Sequence, residues 1–492
     1  MNIVYCVKPH LRTYDAVVVG SGPNGLGAAI RLALEGLDVK VLEASDTVGG
    51  GMRTKELISP GYKHDVCSAI HPMAASSPFL KKLPLDKYGL EWIKPEYAAA
   101  HPLDQSDAAI LSHDLYETAF LLEEDEETYK NLVEPIVDKW DGLTQDFLGP
   151  LSIPKHPISL ASFGMKGLLP ASLLRRKFKT EKGQALFAGM VAHSILPLNS
   201  IATSAIGLVF YGAAHTGGWP LPNGGSQSIA DAMAGYFLSL GGEIETNHRV
   251  ASLNDIPEAR AVLFDLTPKQ VLRIADDVLP PSYKNKLSSF KYGSGVFKID
   301  YILNSPVPWK DKNCLKAGTV HLGGNFEEIA ESEKMISEGE HSDNPFVLVA
   351  QQSLFDPSRT PDDKHTLWAY CHVPSGSTRD MTEIIENQIE RFAPGFRDVI
   401  DSKTTMNTVD FEHYNENYIG GDINGGRQDI TQLFSRPVSL IDPYNIPAKG
   451  LYFCSSSTPP GGGVHGMCGF YAANSVLKNE FGRDKSDWTF RL

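Results

Sequence analysis

The chain has 492 residues, 42% of them hydrophobic and 21% charged, and its 45 Lys+Arg against 59 Asp+Glu give a formal net charge of −14. Such a length predicts two or three domains with a large core, and so acidic a surface argues against nucleic acid as a partner. The six cysteines, Cys6, Cys67, Cys314, Cys371, Cys454 and Cys468, show neither a CxxC pair nor zinc-ligand spacing, so no metal site and no redox-active disulfide are expected, and a reducing, cytoplasmic setting is.

The opening MNIVYCVKPHLRTYD has no sustained apolar region and no cleavage site of a secretory signal. YDAVVVG, Tyr14 to Gly20, reads as a buried parallel strand. GSGPNG follows, then a small-residue helix ending at Gly36, then a second strand, Leu37 to Ala44, that carries Glu43 near its end. These segments form a complete βαβ unit. Gly20, Gly22 and Gly25 fit GxGxxG: the first allows the tight turn, the second lets backbone approach a pyrophosphate, and the third lets helix and strand pack closely. Glu43 follows the last glycine at the spacing expected of an acid that bonds ribose hydroxyls. Dinucleotide binding is the reading.

From Glu91 the pattern changes. AAILSH and TAFLLE read as sheet or sheet edge, and Asp125 to Leu148 as acidic helix. Ser200 to Ala214 is too short to span a membrane and reads as a core helix or pocket wall, and no run of about 18 uninterrupted apolar residues occurs elsewhere. The RRKFK knot, Arg175 to Lys179, follows LLPASLL; apolar residues beside positive charge suit peripheral contact with a membrane. Ser226 to Leu240 reads as an amphipathic helix stopped by Gly241-Gly242, with strands at Glu243 to Leu253 and at Ala259 to Pro268, the latter ending in a loop. Residues 290–420 mix strands (SGVFKIDYIL, PFVLVAQQS, HTLWAYCHV) with one helix, MTEIIENQIERFAPG. Near the end, GLYFCSSSTPPGGGVHG reads as a strand, a stiffened small-residue loop and a helix beginning near Val464 or His465, whose free N–H groups point at an electron-rich atom.

After Glu43 comes ASDTVGGGMRT, which resembles the FAD fingerprint ExxxxxGGxxR[ST] of the amine-oxidase and phytoene-desaturase superfamily. GLYFCSSSTPPGGGVHGMCGFYAA, YIGGDINGG with QLFSRP, and WPLPNGGSQSIADAM resemble the phytoene-desaturase-like oxidoreductases, which include carotenoid desaturases, carotenoid isomerases and retinol saturases. The likeness is nearest to the branch labelled pyridine nucleotide-disulphide oxidoreductase domain-containing. The resemblance implies an α/β fold in which a Rossmann-like FAD-binding domain (1–90, 220–290 and 420–492) is interleaved with a sheet-plus-helix substrate domain (91–219 and 291–419). It implies FAD contacts from Gly20, Gly22, Pro23, Asn24 and Gly25, from Glu43 and Ala44, and from Gly49, Gly50, Gly51, Met52 and Arg53. The backbone of Val250 is placed at adenine, and Ser456, Gly463, Val464 and His465 at the flavin end.

The activity implied is hydride transfer between the flavin and a small apolar, polyene- or isoprenoid-like substrate, with O2, a quinone or NAD(P) as electron partner. His465 and His71 are the candidate catalytic side chains, with His64 and Asp65 weaker. Two other readings stay open: an amine-oxidase-like enzyme with a polar substrate, and a flavin-containing binding protein with little turnover.

Overall fold

The computed structural model describes residues 13–433 and 435–483. Twelve strands build two main sheets. In chain order they are β1 (Tyr14–Val19), β2 (Val39–Leu42), β3 (Tyr97–His101), β4 (Ala109–Ser112), β5 (Glu243–Glu245), β6 (Ala259–Phe264), β7 (Gly295–Leu303), β8 (Ala317–Leu322), β9 (Val347–Ala350), β10 (His365–Val373), β11 (Ile400–Met406) and β12 (Leu451–Phe453). The first sheet, ordered β12-β6-β1-β2-β5, is parallel throughout. The second, β11-β7-β10-β9-β8-β3-β4, is antiparallel except where β8 runs parallel to β3.

Each sheet is built from distant parts of the chain. The parallel sheet takes its strands from the beginning, the middle and the end, and the mixed sheet takes its strands from the two blocks between. The helices that frame the interior are α1 (Pro23–Ala33), α2 (Leu115–Leu121), α3 (Glu126–Val137), α4 (Trp140–Phe147), α5 (Pro157–Gly167), α6 (Glu181–Ala192), α7 (Thr203–Thr216), α8 (Gln227–Ser239) and α9 (Met467–Phe481).

Strand alternation on the mixed sheet sorts its two faces. Val320 and Leu322 join Val347, Val349, Leu367, Ala369 and Cys371 in one apolar core. Thr319 and His321, being two residues apart, point to the other face, with Leu348, Trp368, Tyr370 and His372 beside them. On the parallel sheet, α1 and α9 cross with their backbones in contact. A Cβ on Gly469 would stand 1.8 Å from the Asn24 carbonyl oxygen and 2.7 Å from the Ala28 nitrogen.

Four local expectations are corrected. TAFLLE is not sheet; Thr118–Leu121 continues α2, whose start is capped by the Asp114 carboxylate accepting from the Glu117 N–H. The strand after Gly242 ends at Glu245 because its one neighbour, β2, ends at Leu42. Val250 therefore lies in a loop. The last helix begins at Met467, not at Val464 or His465, because Gly463 and Gly466 hold left-handed φ of 125° and 69°. The loop expected at the end of the Ala259–Pro268 segment stops at Thr267, and Pro268 opens a helix. Of the RRKFK knot, Arg175–Lys177 is one 3-10 turn, with Arg175 paired to Glu327. Cys6 lies outside the described residues.

Candidate active site

One cavity of about 1150 Å³ runs from the glycine turn of α1 to the inner face of the mixed sheet. At the first end the wall is bare backbone. The Gly49 N–H donates to the Ser21 carbonyl at 3.0 Å, and a Cβ on Gly50 would stand 3.0 Å from the Gly22 Cα, so the two glycine turns lie back to back. A Cβ on Gly25 would stand 2.2 Å from the Gly20 carbonyl, which is the tight helix–strand packing this position requires.

Glu43 closes this end. It accepts from the Ser21 N–H at 3.0 Å, the Ser21 hydroxyl at 2.5 Å and the Ser45 N–H at 2.8 Å, and it pairs with Arg53 at 3.0 Å. Arg53 also donates to the Thr47 carbonyl, so it holds the loop between β2 and the second glycine turn. Gly20, Gly22, Pro23, Asn24, Ala44, Gly50, Gly51, Arg53 and Val250 line this part of the cavity. Gly25 and Gly49 support the turns from behind, and the Met52 side chain is fully buried in the adjoining core.

Farther along, Ser456, Gly463, Val464 and His465 line the same cavity. The Asn24 amide donates to the Ser456 hydroxyl at 3.2 Å, while its buried Oδ1 has no partner. Thus an orphaned acceptor, a helix N-terminus and two bare turns share one cavity with a ribose-type carboxylate. These residues fit a dinucleotide whose phosphates lie at α1.

His465 is buried, and its Nδ1 accepts from the Met467 N–H at 3.0 Å. The imidazole therefore caps α9, and burial lowers its pKa to about 4. His71 is placed differently. The Ser226 hydroxyl donates its one proton to the Ser68 carbonyl, so at 2.8 Å it accepts from His71 Nε2–H. His71 Nδ1 is left as a buried lone pair without a partner on a residue that lines the cavity. Burial, first, and then the opposing charges of Asp65 and Arg359 leave its pKa near 4. Asp65 lies behind it, in an ion pair with Arg359 at 2.9 Å. His64 faces Asp300 at 3.5 Å, and Asp300 also pairs with Lys298 inside the same buried group. Cys468 Sγ donates to the Thr458 and Gly461 carbonyls, and the described cysteines are all free thiols.

The sequence reading missed Asp265, which follows β6 and accepts from the Gly25 N–H at 3.0 Å. It lines the cavity, and burial raises its carboxyl to about 7, with Glu43 adding to the rise against the Gly25 bond. Its signal was the acid where LFDLTP leaves the strand beside the glycine turn. The sequence reading also missed His193, His321 and His101, which meet at the far end.

Residues 25–468 match the profile of the flavin-containing amine oxidoreductases. The chain belongs to that family. Its cofactor is FAD, and its class is the FAD-dependent oxidoreductases. Among curated relatives, it is 26% identical over 559 residues to pyridine nucleotide-disulfide oxidoreductase domain-containing protein 2 of Mus musculus, covering 95% of this chain and 94% of that protein. It is 22% identical over 506 residues to phytoene desaturase (neurosporene-forming) of Rhodobacter capsulatus, covering 92% of each.

Among solved structures, putrescine oxidase bound to putrescine aligns at TM-score 0.61 and 18% identity, over 96% of this chain and 100% of that one. An oxidoreductase from Methanosarcina mazei aligns at TM-score 0.62 and 15% identity, over 94% and 100%. These structural likenesses establish the fold. Among the described residues, no group of three or more His, Cys, Asp or Glu is placed to hold a metal ion. No helix among them is long and apolar enough to cross a membrane.

Proposed function

We propose that this family member moves a hydride between FAD and an apolar, polyene- or isoprenoid-like substrate, in a desaturation, saturation or isomerisation. The observation that carries the reading is the wall of the cavity beyond the cofactor stretch. Leu160, Phe163, Ile206, Val209, Phe210 and Leu348 supply it, from α5, α7 and the mixed sheet. Such a wall suits hydrocarbon and offers little to a polar chain. The cavity's carboxylates are engaged: Glu43 and Asp265 stand at the cofactor turns, Glu416 pairs with Arg249 and Arg273, and Asp146 accepts from the Lys155 and His156 N–H groups.

We take residues 1–90, 220–290 and 420–492 as the cofactor domain and the remainder as the substrate domain. Bound FAD supplies the hydride acceptor or donor. The glycine turns and Glu43 hold its dinucleotide part. His71, fixed by Ser226, keeps a lone pair at Nδ1 and can accept a proton there.

The test uses the purified holoenzyme without oxygen. Oxidised-flavin absorption is expected as purified, and an isoprenoid hydrocarbon should shift it while putrescine leaves it unchanged. The reverse order overturns the apolar reading in favour of an amine substrate. Bleaching by NADPH or NADH assigns saturation or isomerisation; persistence of the yellow form assigns desaturation, with O2 or a quinone taking the electrons.

We further propose that the mouth of the cavity rests on a lipid surface. Leu151, Met165 and Leu168 line the cavity and are also exposed, and Ile153 and Ile158 beside them are 93% and 86% exposed. Lys155 flanks this patch, and exposed Arg176 and Lys177 follow it in the chain. An apolar rim with basic neighbours is the arrangement of an interfacial segment. Co-sedimentation with phosphatidylcholine–phosphatidylglycerol vesicles is expected. Ile158→Glu with Met165→Glu should weaken it about tenfold or more; unchanged binding sinks the proposal.

A further inference from the structure

At the far end of the cavity stand three histidines that the chemistry above does not use, with His193 on its wall and His101 and His321 buried behind it. His193, just past α6, lines the cavity; its ring packs on Phe210 at 4.7 Å and near Trp219 at 6.2 Å. Its Nε2 lies 3.1 Å from Nε2 of His321 on β8. His101, on β3, places its Nε2 2.7 Å from the Gly324 carbonyl. The Nδ1 atoms of His321 and His101 are buried without partners, and both converge on the bare Cα of Gly189, 2.8 and 3.0 Å from where a Cβ would stand.

Three neutral imidazoles in a row fix one another's protons. Burial lowers all of them, His193 to about 3, His101 to about 4 and His321 well below its ordinary value. A carbonyl only accepts, so His101 carries its proton on Nε2 and its Nδ1 is a lone pair. The His321 proton is placed on Nδ1, which shares the space beside Gly189 with that lone pair. His321 Nε2 is then an acceptor, and His193 must donate to it from Nε2. The remaining nitrogen, His193 Nδ1, has no protein partner among the described residues and is open to the cavity. By this order it presents a lone pair.

We propose that His193 orients the substrate: its Nδ1 accepts a hydrogen bond from a hydroxyl or amine group carried on an otherwise apolar chain. The inference rests on the apolar-substrate reading and narrows it. A site built to bond one polar group rejects analogues that lack it or present the opposite sense. His321 is a positioning residue. It holds the proton on the far side of His193, and through that the sense of the bond offered to the ligand.

The experiment titrates the FAD holoenzyme with four ligands of one carbon skeleton: farnesol, farnesylamine, farnesal and farnesene. Perturbation of the bound-flavin spectrum reports binding. The alcohol or the amine is expected to bind about tenfold more tightly than the aldehyde and the hydrocarbon, and whichever of the two leads assigns the group. His193→Phe should abolish the order while leaving the hydrocarbon's affinity in place. His321→Phe keeps His193 but frees its tautomer, so the alcohol-to-aldehyde ratio should fall toward one. The wild-type series carries the test even if a variant fails to fold. Binding of all four without rank, or tightest binding of the aldehyde, overturns the inference alone. Binding of none overturns the apolar reading and the inference with it.

Discussion

Replacing Gly22 by valine is expected to give a folded chain that purifies without its yellow colour. Gly22 precedes α1 with φ of −67°, so the backbone itself tolerates a side chain. Space is what the site lacks: a Cβ there would stand 2.6 Å from Asp265 Oδ2, and the two added methyls would enter the approach to the α1 N–H groups. FAD affinity should fall at least about a hundredfold, which is roughly 2.8 kcal/mol. The checks are the flavin-to-protein absorbance ratio after purification and a circular-dichroism spectrum of unchanged shape. Stoichiometric FAD in the variant would show that the dinucleotide does not lie on this turn. Gly25 makes the contrast: its Cβ would strike the Gly20 carbonyl at 2.2 Å, backbone against backbone, and its replacement should break the fold rather than the site alone.

The second large effect is expected at Asp65. Arg359 is fully buried between two carboxylates, Asp65 at 2.9 Å and Asp356 at 2.8 Å. Asp65 also accepts from the Thr54 hydroxyl and the Ser226 N–H, so it braces the residue on which His71 leans. Asp65→Ala leaves Arg359 paired with Asp356 alone and strips the Thr54 hydroxyl and the Ser226 N–H of their buried acceptor, and a cost of about 3–5 kcal/mol is expected. Thermal or denaturant unfolding would measure it.

The pH dependence gives a second readout of the same contact. Burial pushes the Asp65 carboxyl up, but Arg359, Ser226 and Thr54 outweigh it and hold it below the ordinary range; Asp356 is lowered in the same way. A carboxylate with a depressed folded pKa stabilises fully above its unfolded value and loses that contribution as pH falls through the folded one. The gap in Tm between the wild type and Asp65→Ala should therefore be constant from about pH 6 to 8 and close below about 4. A gap that persists in acid would mean that packing, not charge, made the contribution.

What could be read from the residues followed the range over which each constraint acts. The first βαβ unit was legible because its strand, turn, helix and acid lie within thirty or so residues of each other and each glycine has one job. TAFLLE was misread because a six-residue apolar run has no period to separate strand from helix, and the deciding cap, Asp114, stands outside it. The last helix was placed two or three residues early because its true start depends on Gly466 and on the His465 ring folding back on Met467 N–H. His101, His193 and His321 belong to three separate elements, and only the packing of α6 on the mixed sheet brings them together. No local pattern marks such a meeting.

The crossing of α1 and α9 has a consequence for how the molecule is made. The first strand and the glycine turn of α1 leave the ribosome some four hundred residues before β12 and α9, which complete the sheet edge and cover α1. At about 5–20 residues per second, the nascent turn waits roughly 20–80 s with its apolar helix face uncovered. Throughout that interval the first unit lacks the helix that packs on α1. Completion of this unit is therefore a late event, and shielding of the first βαβ unit during synthesis is as much a requirement of this architecture as any contact in the finished fold.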